Sequence, residues 1–126
     1  MTRPHLQVAA TVIGAPDPAA LAAFYGRLLD WEVVEVDPTW AVLRPPAAGP
    51  GLSFQLEPDF VPAVWPAQAG SQQMTSHLDI AVDDLDEAVA WAIEVGATRA
   101  PVQPQLGVCV MLDPVGHPFC LFPHAG

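Results

Sequence analysis

Two segments of the chain carry apolar residues at helical spacing, and each opens with a residue suited to cap it. After Asp17-Pro18, the residues Leu21, Phe24, Tyr25 and Leu28 recur at i, i+3, i+4 and i+7 and form one apolar stripe. Asp17 can accept from the free amides of a first turn, and Pro18 stands where its missing N–H costs nothing. The second segment opens Asp84-Leu85-Asp86-Glu87, with Glu87 three residues after the cap, and continues as a stripe of Ala88, Trp91, Ala92 and Val95. Gly96 then supplies a left-handed stop. Laying Asp17 over Asp84 maps Phe24 onto Trp91 and Leu28 onto Val95. Two helices in one register predict two related modules.

Around each helix the pattern changes to strand-like runs, one before and several after. The leading runs are Gln7 to Ile13 and His77 to Val82. After the first helix come Trp31 to Val36, Trp40 to Arg44 and Leu52 to Glu57, divided by Asp37-Pro38 and by the Pro- and Gly-rich stretch 45–51. After the second come Thr98 to Val102, Leu106 to Leu112 and Pro118 to Phe122, with the turn signal Asp113-Pro114-Val115-Gly116-His117 before the last. This is twice the order strand-helix-strand-strand-strand. Module one covers about 6–57 and module two about 76–122, with the linker 58–75 carrying Phe60 and Trp65, two aromatics that must pack somewhere.

Alternation along the strands separates two faces. Leu52, Phe54 and Leu56 share one face, and Ser53, Gln55 and Glu57 the other. Leu78, Ile80 and Val82 oppose His77, Asp79 and Ala81, while Phe119 and Leu121 oppose Cys120 and Phe122. Trp40, Val42 and Arg44 alternate onto one face of their strand. The apolar faces are assigned to the helices. The polar ones face an open side.

Composition narrows the function. A chain of 126 residues that is 52% hydrophobic has enough material for a core, so disorder is not expected. With 14 acidic and 4 basic side chains the formal net charge is -10, which disfavours nucleic acid and anionic membrane surfaces as partners. The apolar runs fall short of the roughly 20 residues that span a bilayer, and no basic segment precedes an apolar one at the start, so a cytoplasmic protein is expected. Cys109 and Cys120 both sit in apolar strand-like runs and are read as reduced thiols, not as a disulfide. His5, His117 and His124 lie near the termini or in a turn and are assigned no chemistry. The chain has no Ser-His-Asp spacing, glycine-rich phosphate loop or Cys-x-x-Cys pair.

Five motifs in order, Asp17-Pro18 leading to Phe24-Tyr25, Leu29-Asp30-Trp31-Glu32-Val33, His77-Leu78-Asp79, Gly96-Ala97-Thr98 and Asp113-Pro114-Val115-Gly116-His117-Pro118-Phe119, resemble the glyoxalase-like branch of the vicinal oxygen chelate superfamily. That group includes glyoxalase I, bleomycin-resistance proteins and extradiol dioxygenases. The resemblance implies an α+β fold of two βαβββ modules, with curved mixed sheets around a U-shaped cleft and helices outside. It also implies a homodimer. Its enzymes hold a divalent metal with one residue from the first and one from the last strand of each module. Carried onto this sequence, those positions are Ala10, Gln55, His77 and Cys120.

That set is incomplete as a metal site. Alanine has no donor, a neutral amide oxygen is a weak ligand, and a thiol must ionise to bind. Zinc, nickel, manganese or iron therefore remains a candidate cofactor held by His77 with Gln55 and Cys120, and none is firmly implied. His77 can equally be a hydrogen-bonding group in a pocket or a lone general base, and Cys120 a small buried hydrophobe. Asp79 can orient the His77 imidazole. Arg44 can neutralise a ligand carboxylate or pair with a surface acid, and Trp40 shares its face. The expected function is binding of a small, largely apolar organic molecule by these groups. The alternative is a metal-dependent lyase, isomerase or dioxygenase.

Overall fold

Each helix stands where its cap predicts. In the computed structural model, which describes residues 2–124, the elements are β1 (Ala10–Ala15), α1 (Pro18–Leu29), β2 (Glu32–Asp37), β3 (Trp40–Arg44) and β4 (Gly51–Leu56), then β5 (Leu78–Val82), α2 (Leu85–Glu94), β6 (Thr98–Arg99), β7 (Cys109–Leu112) and β8 (Pro118–Pro123). The Asp17 carboxylate accepts from the Ala20 amide at 3.3 Å, and the Asp84 carboxylate from the Glu87 amide at 2.9 Å. Asp30 ends α1 in the left-handed conformation at φ 56, and its N–H donates to the Gly26 carbonyl.

The chain divides into two compact units, one ending at Asp59 and the other starting at Phe60. Each contains a four-stranded mixed sheet and one helix, in the repeated order read from the sequence. In the first unit the strand order is β1-β4-β3-β2, with β1 parallel to β4 and the remaining pairs antiparallel. The second unit repeats it as β5-β8-β7-β6, with β5 parallel to β8. The segment after Pro58 packs onto the second unit. The Phe60 ring meets the His117 ring edge-on at 5.3 Å, and the Trp65 indole N–H donates to the Val102 carbonyl at 3.2 Å.

The core of the first unit lies between α1 and the sheet. Leu21, Phe24 and Tyr25 are buried against Ala41, Leu43 and Phe54, with Tyr25 stacked on Phe54 at 5.7 Å. In the second unit Ala92, Val95, Met111, Phe119 and Leu121 are buried. Here one expectation fails. Trp91 remains 48% exposed, because the side of α2 that closes on its sheet is built from small groups, Ala88 and Ala92, with Val95. Trp91 flanks that side. Trp91→Ala is therefore expected to cost only about 1–2 kcal/mol in urea denaturation, in proportion to its partial burial.

Strand limits also differ from the alternation pattern. β1 starts at Ala10, where pairing with Gly51 of β4 becomes available, and Gln7 to Ala9 stay outside the strand. β7 starts at Cys109, because Gly107 turns the chain at φ 80.

Candidate functional site

Strand register decides which polar side chains share a surface. In the second unit Asp79 of β5 pairs in parallel with Cys120 of β8, and Cys120 pairs across with Val110 of β7. These residues share the sheet face opposite Phe119 and Leu121, which the helix covers. His77 lies immediately before β5, one pleat from Asp79 on the same face. The His77 Nε2 atom is 3.0 Å from Asp79 Oδ1. One donor atom from each of His77, Asp79 and Cys120 lies within 4.8 Å of the others. His77 is about one-third exposed and Asp79 more so, while Cys120 is half-buried.

The two cysteines are free thiols on opposite faces of one sheet. Cys109 is buried on the core side, 3.5 Å from the Met111 sulfur. Burial pushes the Cys120 thiol up from its ordinary range, and the Asp79 carboxylate beside it pushes further, both as a charge and by accepting its hydrogen bond. Burial likewise raises the Cys109 thiol, against a smaller opposing pull from Arg99. A thiol raised in the fold favours the protonated native form, so this contribution to stability is present below the ordinary thiol range and is lost as pH rises through the raised value. In chelator-treated native protein at mildly alkaline pH, Cys120 is expected to alkylate more slowly than in the unfolded chain. Asp79→Asn should speed that reaction. A rate unchanged by the substitution would show that the carboxylate does not act on the thiol.

In the first unit the corresponding face carries Trp40, Val42, Ser53 and Gln55, with Trp40 paired to Gln55 and Val42 to Ser53. Gln55 is exposed and donates to Glu57 at 2.7 Å. The Glu57 side chain passes over Gly14, where an added Cβ would come within 2.8 Å of Glu57 Cγ. Glu57 shares the Gln55 face by alternation, the signal by which its part in this group was readable. Arg44 and Ser53 line a shallow recess of about 210 Å³, together with Ala10 and Val42. Among the described residues Arg44 makes no ion pair, so the surface-acid partner considered for it is not found.

The register also revises the equivalence of the closing strands. The offset that relates Asp17 to Asp84 relates the pair Val12 and Ser53 to the pair Asp79 and Cys120. Ser53, not Gln55, is thus the counterpart of Cys120. Gln55 lies one pleat further on, opposite Gly14, and its counterpart is Phe122. The set Ala10, Gln55, His77 and Cys120 does not fit a divalent metal. Ala10 offers no donor, and the neutral Gln55 amide oxygen is a weak ligand.

The sequence profile of the glyoxalase-like domain matches residues 10–122, and the chain belongs to that family. Its fold is that of the glyoxalase, bleomycin resistance and dioxygenase proteins. It is similar to a glyoxalase/bleomycin resistance protein/dioxygenase family enzyme from Burkholderia phytofirmans PsJN, at 20% identity and TM-score 0.68, over 92% of this chain and 97% of that one. A glyoxalase family protein from Enterococcus faecalis matches at 22% identity and TM-score 0.65, over 91% and 95% of the two chains. A bleomycin resistance determinant encoded on the transposon Tn5 matches at 22% identity and TM-score 0.63, over 96% and 100%. No functionally curated protein matches the chain. Among the described residues no helix is long and apolar enough to cross a membrane.

Proposed function

We propose that this chain binds a small, largely apolar organic molecule on the open faces of its sheets. On the first sheet Gln55 and Arg44 supply polar contacts beside Trp40, and on the second His77 supplies them with Asp79 and Cys120 beside it. The observation that carries this reading is the placement of these side chains on the faces opposite the packed cores, where Gln55, His77 and Asp79 are accessible. Such groups hold no core together, yet they can fix the orientation of a ligand lying on one open sheet face, against Trp40 and Val42 on the first sheet or beside His77 on the second. One protein of similar fold is a bleomycin resistance determinant. A cytoplasmic location and a homodimer belong to the same proposal. Light scattering at micromolar concentration should give about twice the 13.4 kDa chain mass.

A ligand that binds only the native state raises apparent stability by mass action. Thermal denaturation against a panel of aromatic compounds and hydroxy acids should reveal at least one dose-dependent upward shift. His77→Ala or Gln55→Ala should remove it without moving the unliganded midpoint. A shift unaffected by both substitutions would place binding elsewhere. The second reading, a divalent-metal-dependent lyase, isomerase or dioxygenase, is favoured by one observation, the grouping of His77, Asp79 and Cys120. Metal-dependent consumption of a vicinal-oxygen substrate would establish it.

A further inference from the structure

We propose that the recess on the open face of the first sheet binds the carboxylate of a small organic acid, held by Arg44 and Ser53. This rests on the ligand-binding reading above and deepens it, by naming the class of molecule and the group that is recognised.

Strand pairing builds the recess. Ser53 of β4 stands beside Val42 of β3 on the open face, and Arg44 follows Val42 one pleat on, so the hydroxyl and the guanidinium belong to one side of the sheet. Both residues line the recess, with Ala10, Val34, Val42 and Gly51. Val34 joins the wall because the pairing of β2 with β3 slips between Val33 and Glu35, which leaves it without a partner in the ladder. At Gly51 an added Cβ would come within 2.6 Å of the Leu43 carbonyl oxygen, so no side chain stands there. The floor beside Arg44 stays bare.

Two free polar groups mark the ligand. Ser53 is 4% exposed, yet among the described residues its hydroxyl makes no hydrogen bond. A hydroxyl so placed costs stability unless it finds a partner. Among the described residues no polar side-chain atom is both sealed from solvent and unpaired, so the hydroxyl is reached from the recess. Arg44 is one of four cations in a chain of net charge -10, and it makes no ion pair. Glu32 lies across from Arg44 in the β2–β3 register and Glu35 across from Val42, but neither lines the recess.

The chemistry selects a monoanion. A guanidinium fork matches the two oxygens of a carboxylate, and Ser53 donates a further hydrogen bond. One cation balances one negative charge, and the acids on β2 oppose a second, which disfavours a phosphate dianion. Ala10, Val34 and Val42 meet the hydrocarbon part of the acid. A volume of about 210 Å³ lies below the roughly 300–1,000 Å³ of sites for drug-sized ligands, so the acid is small. In the second unit the positions of Ser53 and Arg44 are taken by Cys120 and Leu112, which supply no cation. Carboxylate recognition therefore belongs to the first sheet.

Benzoate titrated into isotopically labelled full-length protein, with benzamide as its neutral isostere, tests the site through backbone amide chemical shifts. Benzoate should give saturable shifts at residues 42–44 and 51–53, with an affinity at least about 10-fold above that of benzamide. Arg44→Gln should weaken benzoate binding on the order of 10- to 100-fold, and Arg44→Lys less, because lysine keeps the charge without the fork. Ser53→Ala should weaken it about 3- to 10-fold. Arg99→Gln removes the same charge from the second unit and should leave the affinity within about twofold. Arg44 is exposed, so the amide spectra of its variants should remain those of the folded parent. The proposal is overturned if benzoate moves no amide of β3 and β4, if benzamide binds as well, or if Arg44→Gln and Arg99→Gln weaken benzoate equally. A neutral compound that still stabilises the parent in thermal denaturation would show that the ligand-binding reading survives such a failure, whereas a parent that no compound stabilises would end both.

Discussion

Phe54→Ala should lower folding stability by about 3–5 kcal/mol, the largest loss expected from any single truncation considered for this chain. Phe54 is fully buried on the helix side of β4 and stacks on Tyr25 at 5.7 Å with ring planes 20° apart. Tyr25 in turn meets Phe24 edge-on at 4.7 Å. Removing one end of this packed aromatic chain forfeits its transfer free energy, leaves a cavity and deprives Tyr25 of a stacking partner. Neighbouring Ala41 is too small to fill the space, and Leu43 is already fully buried. Phe54→Leu keeps most of the volume and should cost less than half as much. Equilibrium urea denaturation of the two variants measures both effects. Equal losses would mean that the site tolerates no change of shape.

Asp113→Ala should cost about 2–3 kcal/mol, although it removes only a carboxylate from a turn. Asp113 is buried at 4% exposure, and its Oδ1 accepts from the amides of Val115 and His117, each at 3.0 Å. Its own N–H donates to the His117 carbonyl at 2.9 Å. The side chain thus satisfies two donors of the turn that leads β7 into β8. Alanine leaves both amides without their charged acceptor. Because β8 also carries Cys120, misplacing this turn moves the strand that brings the thiol beside Asp79. Asp113→Asn retains an acceptor of the same shape and should recover at least half of the lost stability by the same measurement.

The features legible in the sequence are those set by local chemistry. The caps Asp17 and Asp84, the proline at the first helical position and the alternation of apolar residues on β4, β5 and β8 all act over a few neighbours, and the helices and faces follow from them. Pairing register is a non-local property and was harder to read. The similar runs Phe54-Gln55-Leu56 and Phe119-Cys120-Leu121 invite alignment of Gln55 with Cys120, yet hydrogen bonding to β1 and β5 matches Cys120 with Ser53 instead. The shift of one pleat keeps Gln55 on the same face, so alternation alone could not detect it. The approach of Asp79 to Cys120 arises from the same parallel pairing. Trp91 shows a different limit. Helical periodicity identifies a stripe, but within it Ala92 and Val95 are buried while Trp91 stays 48% exposed.

In the function proposed above, residues on the open sheet faces serve binding, while the helix-covered faces hold the fold. Urea denaturation of His77→Ala in metal-free buffer tests this division most directly. Because His77 packs into no core and its carboxylate partner Asp79 is exposed, the variant should stay within about 1 kcal/mol of the parent. A loss approaching that of Phe54→Ala would make His77 a structural residue and contradict the assignment of the faces.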